Sequence, residues 1–385
     1  MNGNQRLFAR LRNTRIFFPF NQRLPSCNGL VHAYTNLEGN VSMHHAVLEA
    51  IFQRQKSGST PGRREDDFKI ALAVEGGAMR GVVSAGMLAG LEYLGLLPAF
   101  DVIYATSAGA INAAYFIAGQ AAYRASIYYE NINNSQFVSP LRWLAGERPV
   151  SLEFLFEHVM ISKKPLNWRR VLDSEIELVP MATSLSQARA VPLRGAHSRY
   201  GLFLRLKASA RIPFLAGPPV CVEGEFCLDG GLYAPIPFRQ ALDEGCTHVF
   251  ALLTRPSGIA LRRTSSLNRF VIARKLARYN PLLGNAFLDR ANHYARELNW
   301  LRTGTGAPDR PPYIYAVNPS SAAPMIRRFE KRPDRLVCAA RNGMTALLRA
   351  FGHLDSSCTE TVFPYRQSCE QLPDQRPKLD PLEQH

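Results

Sequence analysis

A chain of 385 residues with 46% hydrophobic and 20% charged side chains holds enough apolar material for a substantial core, which excludes a wholly disordered or fibrous polymer. No uninterrupted apolar run reaches the ~18 residues of a membrane-spanning helix, so a cytoplasmic or membrane-peripheral protein is expected. The net charge of +15, from 38 Arg and 8 Lys against 31 acids, suits anionic partners, although a GC-rich genome gives the same balance.

Residues 1–37 contain no acid but hold Arg6, Arg10, Arg12, Arg15 and Arg23. "RLFARLRNTRIFF" has the pattern of a basic amphipathic helix. The stretch reads as an extension that packs on the domain, with an organelle transit peptide as the alternative; its poverty in serine argues against the latter. His44-His45, the one adjacent histidine pair, sits in this leader and reads as solvated rather than metal-binding. "RQKSGSTPGRREDD", Arg54 to Asp67, reads as a polar linker. The organisation expected is therefore a basic extension and linker over 1–66, one catalytic-type domain over 67–351, and a polar, disordered tail over 352–385.

Within 67–351 short apolar runs alternate with helical patterns. "KIALAVE" (Lys69–Glu75) and "DVIYA" (Asp101–Ala105) read as buried strands, each followed by a helix, Val82–Gly95 and Ala108–Gly119. "IELVPMAT" (Ile176–Thr183) reads as a strand whose Pro180 belongs at an edge or a bulge. Arg199–Ala210 is helical, and Val220–Gly231 is a hairpin turning at Glu223-Gly224. Thr247–Thr254 and Pro312–Asn318 are further strands, and helices fill 266–302 and 333–351. This alternation predicts a three-layer α/β/α fold around a mainly parallel central sheet. Seven cysteines, with no Cys-x-x-Cys, read as free thiols in a reducing compartment.

Three strand ends run into glycine turns, where an open α/β sheet gathers its site. Glu75-Gly76-Gly77-Ala78-Met79-Arg80-Gly81 leaves backbone amides bare at a helix start, a geometry that holds a phosphate or a developing oxyanion. It lacks the Lys-Ser/Thr of a Walker A loop and the spacing of a dinucleotide fingerprint. Ala105-Thr106-Ser107-Ala108-Gly109 places a serine on a sharp strand-to-helix turn, as a nucleophile elbow does; the ordinary alternative is a helix-capping serine. Leu228-Asp229-Gly230-Gly231 sets an aspartate on a constrained turn, where it orients or deprotonates a hydroxyl, or simply closes an Asp-Gly turn.

Taken together, these segments resemble the patatin-like phospholipase family, with the likeness strongest to its bacterial branch. "LAVEGGAMRGVVSAGMLAGLEYLG" is similar to the family's glycine-rich segment, "YATSAGAINAAYF" to its nucleophile elbow, and "ASARIPFLAGPPVCVEGEFCLDGGLYAPIP" to its Asp-Gly-Gly region. The likeness runs from about 68 to about 256 and continues weakly to about 350. It implies a lipid acyl hydrolase that cleaves phospholipid or lysophospholipid esters. Ser107 would be the nucleophile and Asp229 its base, without histidine. Gly76, Gly77 and Ala78 would form the oxyanion hole, and Arg80 would bind substrate phosphate or anchor the loop. No cofactor and no metal are implied.

The chain departs from the family pattern at Ala78 and Ala105, both glycine in most members. Ala78 should resist a positive φ if the loop needs one. Ala105 is expected to crowd the elbow, so that Ala105→Gly raises turnover. A lipid-binding relative that has lost turnover is the alternative function. A Ser–Asp–His triad would need His293 or His353, neither with a distinctive context. "LRRTSSLNRFVIARKLARYNPLL" (Leu261–Leu283) carries six bases and no acid, and reads either as a helix for anionic membrane surfaces or as a core helix with a solvated face. Nucleic-acid signatures are missing, so nucleic acid is not expected as a partner. Headgroup, acyl position and oligomeric state are not legible.

Overall fold

The central strands are apolar on both faces, which is what a sheet covered by helices on both sides requires. The computed structural model describes residues 45–257, 266–303, 310–321 and 325–364. In chain order its main elements are α1 (Ala46–Ser57), β1 (Ile70–Val74), α2 (Gly81–Tyr93), β2 (Val102–Thr106), α3 (Ala108–Ile117), β3 (Glu177–Ser184) and β4 (Arg189–Pro192). There follow α4 (Arg199–Ser209), β5 (Val220–Val222), β6 (Glu225–Asp229), β7 (His248–Leu252), α5 (Ser266–Ala277), α6 (Pro281–Thr303), β8 (Tyr313–Val317) and α7 (Pro333–Ala350).

The sheet runs β5-β6-β3-β2-β1-β7-β8, with β4 also paired to β3. β3, β2, β1, β7 and β8 are mutually parallel, and β4, β5 and β6 add antiparallel pairings. Successive residues point to opposite faces. Ile70, Leu72, Val74, Ile103 and Phe250 pack with α1, α2, α3 and α7 residues such as Ile51, Leu88, Ile111 and Leu347. Ala71, Ala73, Tyr104, Val249 and Ala251 pack instead with Phe238, Ala241, Tyr294 and Leu301. The three-layer α/β/α expectation holds, with a mainly parallel mixed sheet.

Pro180 lies in β3, which is not an edge strand, yet its ring breaks no ladder. Its carbonyl accepts from Leu193 N–H at 2.9 Å, so its imide faces the side where β4 is only beginning, away from β2. The hairpin turns at Glu223 (φ 50°) and Gly224 (φ 87°), the two consecutive left-handed residues a type I′ turn needs.

Three readings are corrected. The stretch read as a linker is built into the domain. α1 inserts Val47, Leu48, Ala50 and Ile51 into the core, and Arg54, 1% exposed, satisfies its guanidinium completely. It forks onto Asp66 at 2.7 and 2.9 Å, meets Asp101 at 2.7 Å, and donates to the carbonyls of Ala99 and Phe68. Arg54, Arg64 and Asp66 serve this ion network, while Gln55, Lys56, Thr60, Arg63, Glu65 and Asp67 are exposed. The disorder expected from 352 does not hold for its first part: Cys358–Val362 is helical and Phe363 is fully buried, while 365–385 lie outside the described residues. Cys221, Cys227, Cys246 and Cys358 are free thiols, but Cys338 is disulfide-bonded, which spacing alone did not show. The expectations for residues 1–44 also lie outside the described residues.

Removing one partner of a buried ion pair strands the other charge. Arg54→Ala should therefore destabilise the domain by about 3–5 kcal/mol in urea unfolding. A change near zero would show that this network is dispensable.

Candidate active site

The strand register assembles the site. Thr106, the last residue of β2, pairs with Met181, and Asp229, the last residue of β6, pairs with Ala182. β4 occupies the other edge of β3 at both positions. β2 and β6 therefore approach the same edge of β3 from opposite ends and stop head to head. The residue that follows β2 must meet the residue that ends β6. Ser107 Oγ donates to Asp229 Oδ2 at 2.6 Å.

Ser107 is held in a strained conformation, φ 57° and ψ −127°. Such a backbone costs about 1–3 kcal/mol and survives only where its surroundings over-determine it. Here Ser107 N–H donates to Ser209 Oγ at 2.9 Å, and that hydroxyl donates to Met181 C=O at 2.6 Å. The Ser107 carbonyl accepts from Ala110 N–H and opens α3. Its side chain makes no helix-capping bond, so the ordinary reading of this serine as a cap does not apply.

Asp229 is held from four directions. Its Oδ1 accepts from Gly231 N–H at 2.7 Å, so the aspartate closes its own turn while its other oxygen meets the serine. Its N–H donates to Arg211 C=O, and its carbonyl accepts from Thr183 Oγ1. Burial pushes the Asp229 carboxyl above the usual aspartate range; the bonds from Ser107 and Gly231 N–H and the positive charge of Arg328 pull the other way. His293 is engaged elsewhere, its Nε2 2.8 Å from the Tyr233 carbonyl oxygen.

The glycine-rich loop lies against this pair. A Cβ on Gly76 would stand 2.3 Å from Thr106 O and 2.9 Å from Ser107 Cβ, and one on Gly109 2.7 Å from Val74 O, so only glycine lets the two turns touch. Ala78 adopts φ 53°, the left-handed conformation that alanine disfavours. The amides of Gly77 and Ala78 donate to no acceptor among the described residues, whereas Met79 N–H is taken by Arg328 O. Glu75 anchors the loop: Oε1 accepts from Tyr294 Oη at 2.9 Å and Oε2 from Thr254 N–H at 2.6 Å. Thr254 Oγ1 also donates to Gly76 O. Arg80 is buried, with Nε 3.2 Å from where a Gly77 Cβ would stand; burial and the charges of Arg255 and Arg328 pull its pKa down to about 9.

An apolar pocket opens beside the serine, lined by Ala78, Ser107, Ile111, Phe137, Leu155 and Phe329 among others. Its volume is about 30 Å³, one water's share, so any longer chain must displace part of the lining.

Sequence reasoning named Ser107, Asp229, Gly76, Gly77, Ala78 and Arg80; the first five converge at the carboxyl ends of β1, β2 and β6, and Arg80 lies buried beside Gly77. It assigned no role to Ser209, Glu75, Thr254 or Tyr294. Ser209 lies inside the Ala-Ser segment that carried the family likeness, but nothing in its neighbours signals a buried bridging hydroxyl. Tyr294 meets Glu75 from 219 positions away, beyond any local pattern.

The crowding expected at Ala105 is absent from the backbone. Ala105 is a regular β2 residue paired with Val74 and Pro180, while the left-handed strain falls on Ala78 and Ser107. Opposite effects follow. Ala78→Gly should raise unfolding free energy by up to about 1 kcal/mol through relief of the left-handed strain. Ala105→Gly should lower it by about 1–2 kcal/mol by deleting a buried methyl and loosening a strand. Equal signs in thermal unfolding would contradict this assignment of strain.

Comparison with known proteins places the domain. Residues 72–242 match the family model described as patatin-like phospholipase. The uncharacterized protein YjjU of Escherichia coli (strain K12) is 31% identical over 192 residues, covering 49% of this chain and 53% of that protein, so the chain spans about half the length of this relative. The crystal structure of VipD from Legionella pneumophila aligns over 76% of this chain and 69% of its own, at a TM-score of 0.36 and 11% identity. Over residues 72–242 the chain is similar to the patatin-like phospholipase family.

Proposed function

We propose that this protein hydrolyses carboxylic esters of lipids, phospholipid or lysophospholipid, with Ser107 as nucleophile and Asp229 as its base. The observation that carries this reading is the 2.6 Å bond from Ser107 Oγ to Asp229 Oδ2. A serine hydroxyl is a weak nucleophile until a neighbouring base takes its proton. A carboxylate raised by burial is a better match to that task near neutral pH than an exposed one.

In this mechanism Asp229 takes the Oγ proton as Oγ bonds to the ester carbonyl carbon. The carbonyl oxygen becomes an oxyanion and accepts from the amides of Gly77 and Ala78, with Gly76 adjacent; one such donor is worth about 3 kcal/mol. Collapse breaks the ester C–O bond, and the departing alkoxide takes the proton from Asp229 and leaves as alcohol or lysolipid. Water then gives its proton to Asp229 and attacks the acyl-serine, and the second collapse returns that proton to Ser107. The acyl chain enters the apolar pocket, whose lining opens around it. The lipid-binding alternative without turnover keeps the same strained turn, since such strain also occurs in ligand clamps, and the activity of the wild type against Ser107→Ala separates the two.

Delivery to membrane is the second part of the proposal. α5 and α6 pack Leu276 and Leu283 against Leu228 and Leu232, which flank Asp229. Their outer side exposes Phe270, Val271 and Leu282, with Tyr279 between the helices, beside exposed Arg274, Lys275 and Arg278. Apolar side chains amid bases suit an anionic bilayer surface. No described helix is long and apolar enough to cross a membrane.

Ser107→Ala should abolish hydrolysis of a nitrophenyl ester, and Asp229→Asn should lower kcat by ~10²–10⁴ with little change in KM. Because only the ionised carboxylate accepts a proton, kcat/KM should fall as pH drops through an apparent pKa above that of an exposed aspartate. Full activity in Asp229→Asn, or an acid limb at the ordinary aspartate value, would contradict the role of the base. Vesicles rich in anionic lipid should bind the protein better than zwitterionic ones, with the difference shrinking at high salt; equal binding would remove the membrane surface from the proposal.

A further inference from the structure

The apolar pocket beside Ser107 carries one charged group in its lining, Arg124, and the ester chemistry makes no use of it. The residues around it are apolar, Ile111, Ile132, Phe137 and Leu155 among them. Arg124 comes from the short helix Ala121–Ala125 and is 1% exposed. Its Nε and Nη1 are enclosed and donate to nothing among the described residues, and it forms no ion pair there. Glu130, the next acid along the chain, is taken by Lys164 Nζ at 2.8 Å.

Two aromatic rings hold this cation in place. Its guanidinium carbon lies 4.6 Å from the Tyr128 ring centre and 5.6 Å from that of Tyr115. Ring faces stabilise the charge but offer no oxygen to its N–H groups. The tyrosine hydroxyls are committed elsewhere: Tyr115 donates to Lys164 C=O and Tyr128 to Asn112 Oδ1, at 2.5 and 3.0 Å. An enclosed guanidinium with unused donors is costly unless an anion meets it, and its planar fork matches a carboxylate.

The position of Arg124 sets the length of what it can meet. α3 starts directly after Ser107; Asn112 and Tyr115, which flank the cation through Tyr128 and directly, lie one to two turns down that helix. The guanidinium therefore stands roughly 5–11 Å along α3 from the nucleophile. Between the two ends the walls are apolar. A plain hydrocarbon tail would lay methylenes against the cation and leave its donors unmet. A short chain with a reacting carbonyl at one end and a carboxylate at the other satisfies both ends and the walls between them.

We propose that Arg124 is a receptor for a carboxylate at the far end of the acyl chain, so that the acyl groups accepted are short and dicarboxylic. The assignment rests on the lipid-hydrolase reading and narrows its substrate class. Such a chain reaches the site either on a soluble half-ester of a dicarboxylic acid or on a phospholipid whose acyl chain ends in a carboxylate.

The test compares kcat/KM for mono-nitrophenyl adipate and nitrophenyl hexanoate, which share leaving group and chain length, at neutral pH where the free carboxyl is ionised. The wild type is expected to prefer the adipate at least tenfold. Arg124→Met should erase that preference and Arg124→Lys should keep part of it, both checked for native circular dichroism. Equal kcat/KM for the two esters in the wild type, or a preference that survives in folded Arg124→Met, overturns the receptor and leaves the nucleophile reading standing. Calorimetric titration of monomethyl adipate and methyl hexanoate into Ser107→Ala reads the same preference without turnover. A wild type that hydrolyses neither nitrophenyl ester, while Ser107→Ala still binds the adipate at least tenfold better, removes the nucleophile reading and leaves the receptor intact. Phosphatidylcholine bearing an adipoyl or a hexanoyl chain, in detergent micelles, separates the sources. Preference for the adipoyl lipid assigns the receptor to phospholipid; preference confined to the nitrophenyl esters assigns it to soluble half-esters.

Discussion

Two strands that stop head to head on one edge of a third set everything else in this site. β2 arrives parallel to β3 and ends opposite Met181; β6 arrives antiparallel and ends opposite Ala182. A shift of one residue in either pairing would turn its side chains to the other face of the sheet. The hydroxyl at 107 and the carboxyl at 229 would then part. Register is in turn secured by burial: Ala105, Met181, Ala182 and Leu228 are each 2% exposed or less. The polar pair is positioned by an apolar constraint.

The strain at Ser107 and Ala78 is tolerable for the same reason. Each sits between elements that cannot retreat. Ser209 bridges Ser107 to β3, and Glu75 ties the glycine-rich loop to α6 and to the end of β7. These supports lie beneath the proposed reacting groups and hold the loop amides and the serine in place before any substrate arrives. In the proposed mechanism such preorganised donors carry much of the load, because a carboxylate is a weaker proton acceptor than imidazole near neutral pH.

Much of the layout was legible in the chain because buried parallel strands are continuous apolar runs, and those of β1, β2 and β7 are bounded by glycine or polar turns. The hairpin turn at Glu223-Gly224 was legible through its glycine and the alternating residues around it. What escaped had no local signature. Arg54 to Asp67 looks like solvent-exposed linker by composition, yet Arg54 and Asp66 bond each other across twelve positions. Polar residues read as exposed unless their partners are known, and partners are a tertiary property. Ala105 and Ala78 were both read as departures from a glycine pattern, but only coordinates tell which one bears a left-handed φ. The loop, the serine and the aspartate could be named from family likeness; their supports, Ser209, Thr254 and Tyr294, could not.

The central proposal is that the Ser107 hydroxyl is activated by Asp229. Reaction of the folded protein with a fluorophosphonate, followed by peptide mass spectrometry, reads that activation directly. A single adduct on Ser107, formed far more slowly in Asp229→Asn, is expected. Absence of an adduct from natively folded protein, an adduct on another serine, or equal labelling in Asp229→Asn would contradict it.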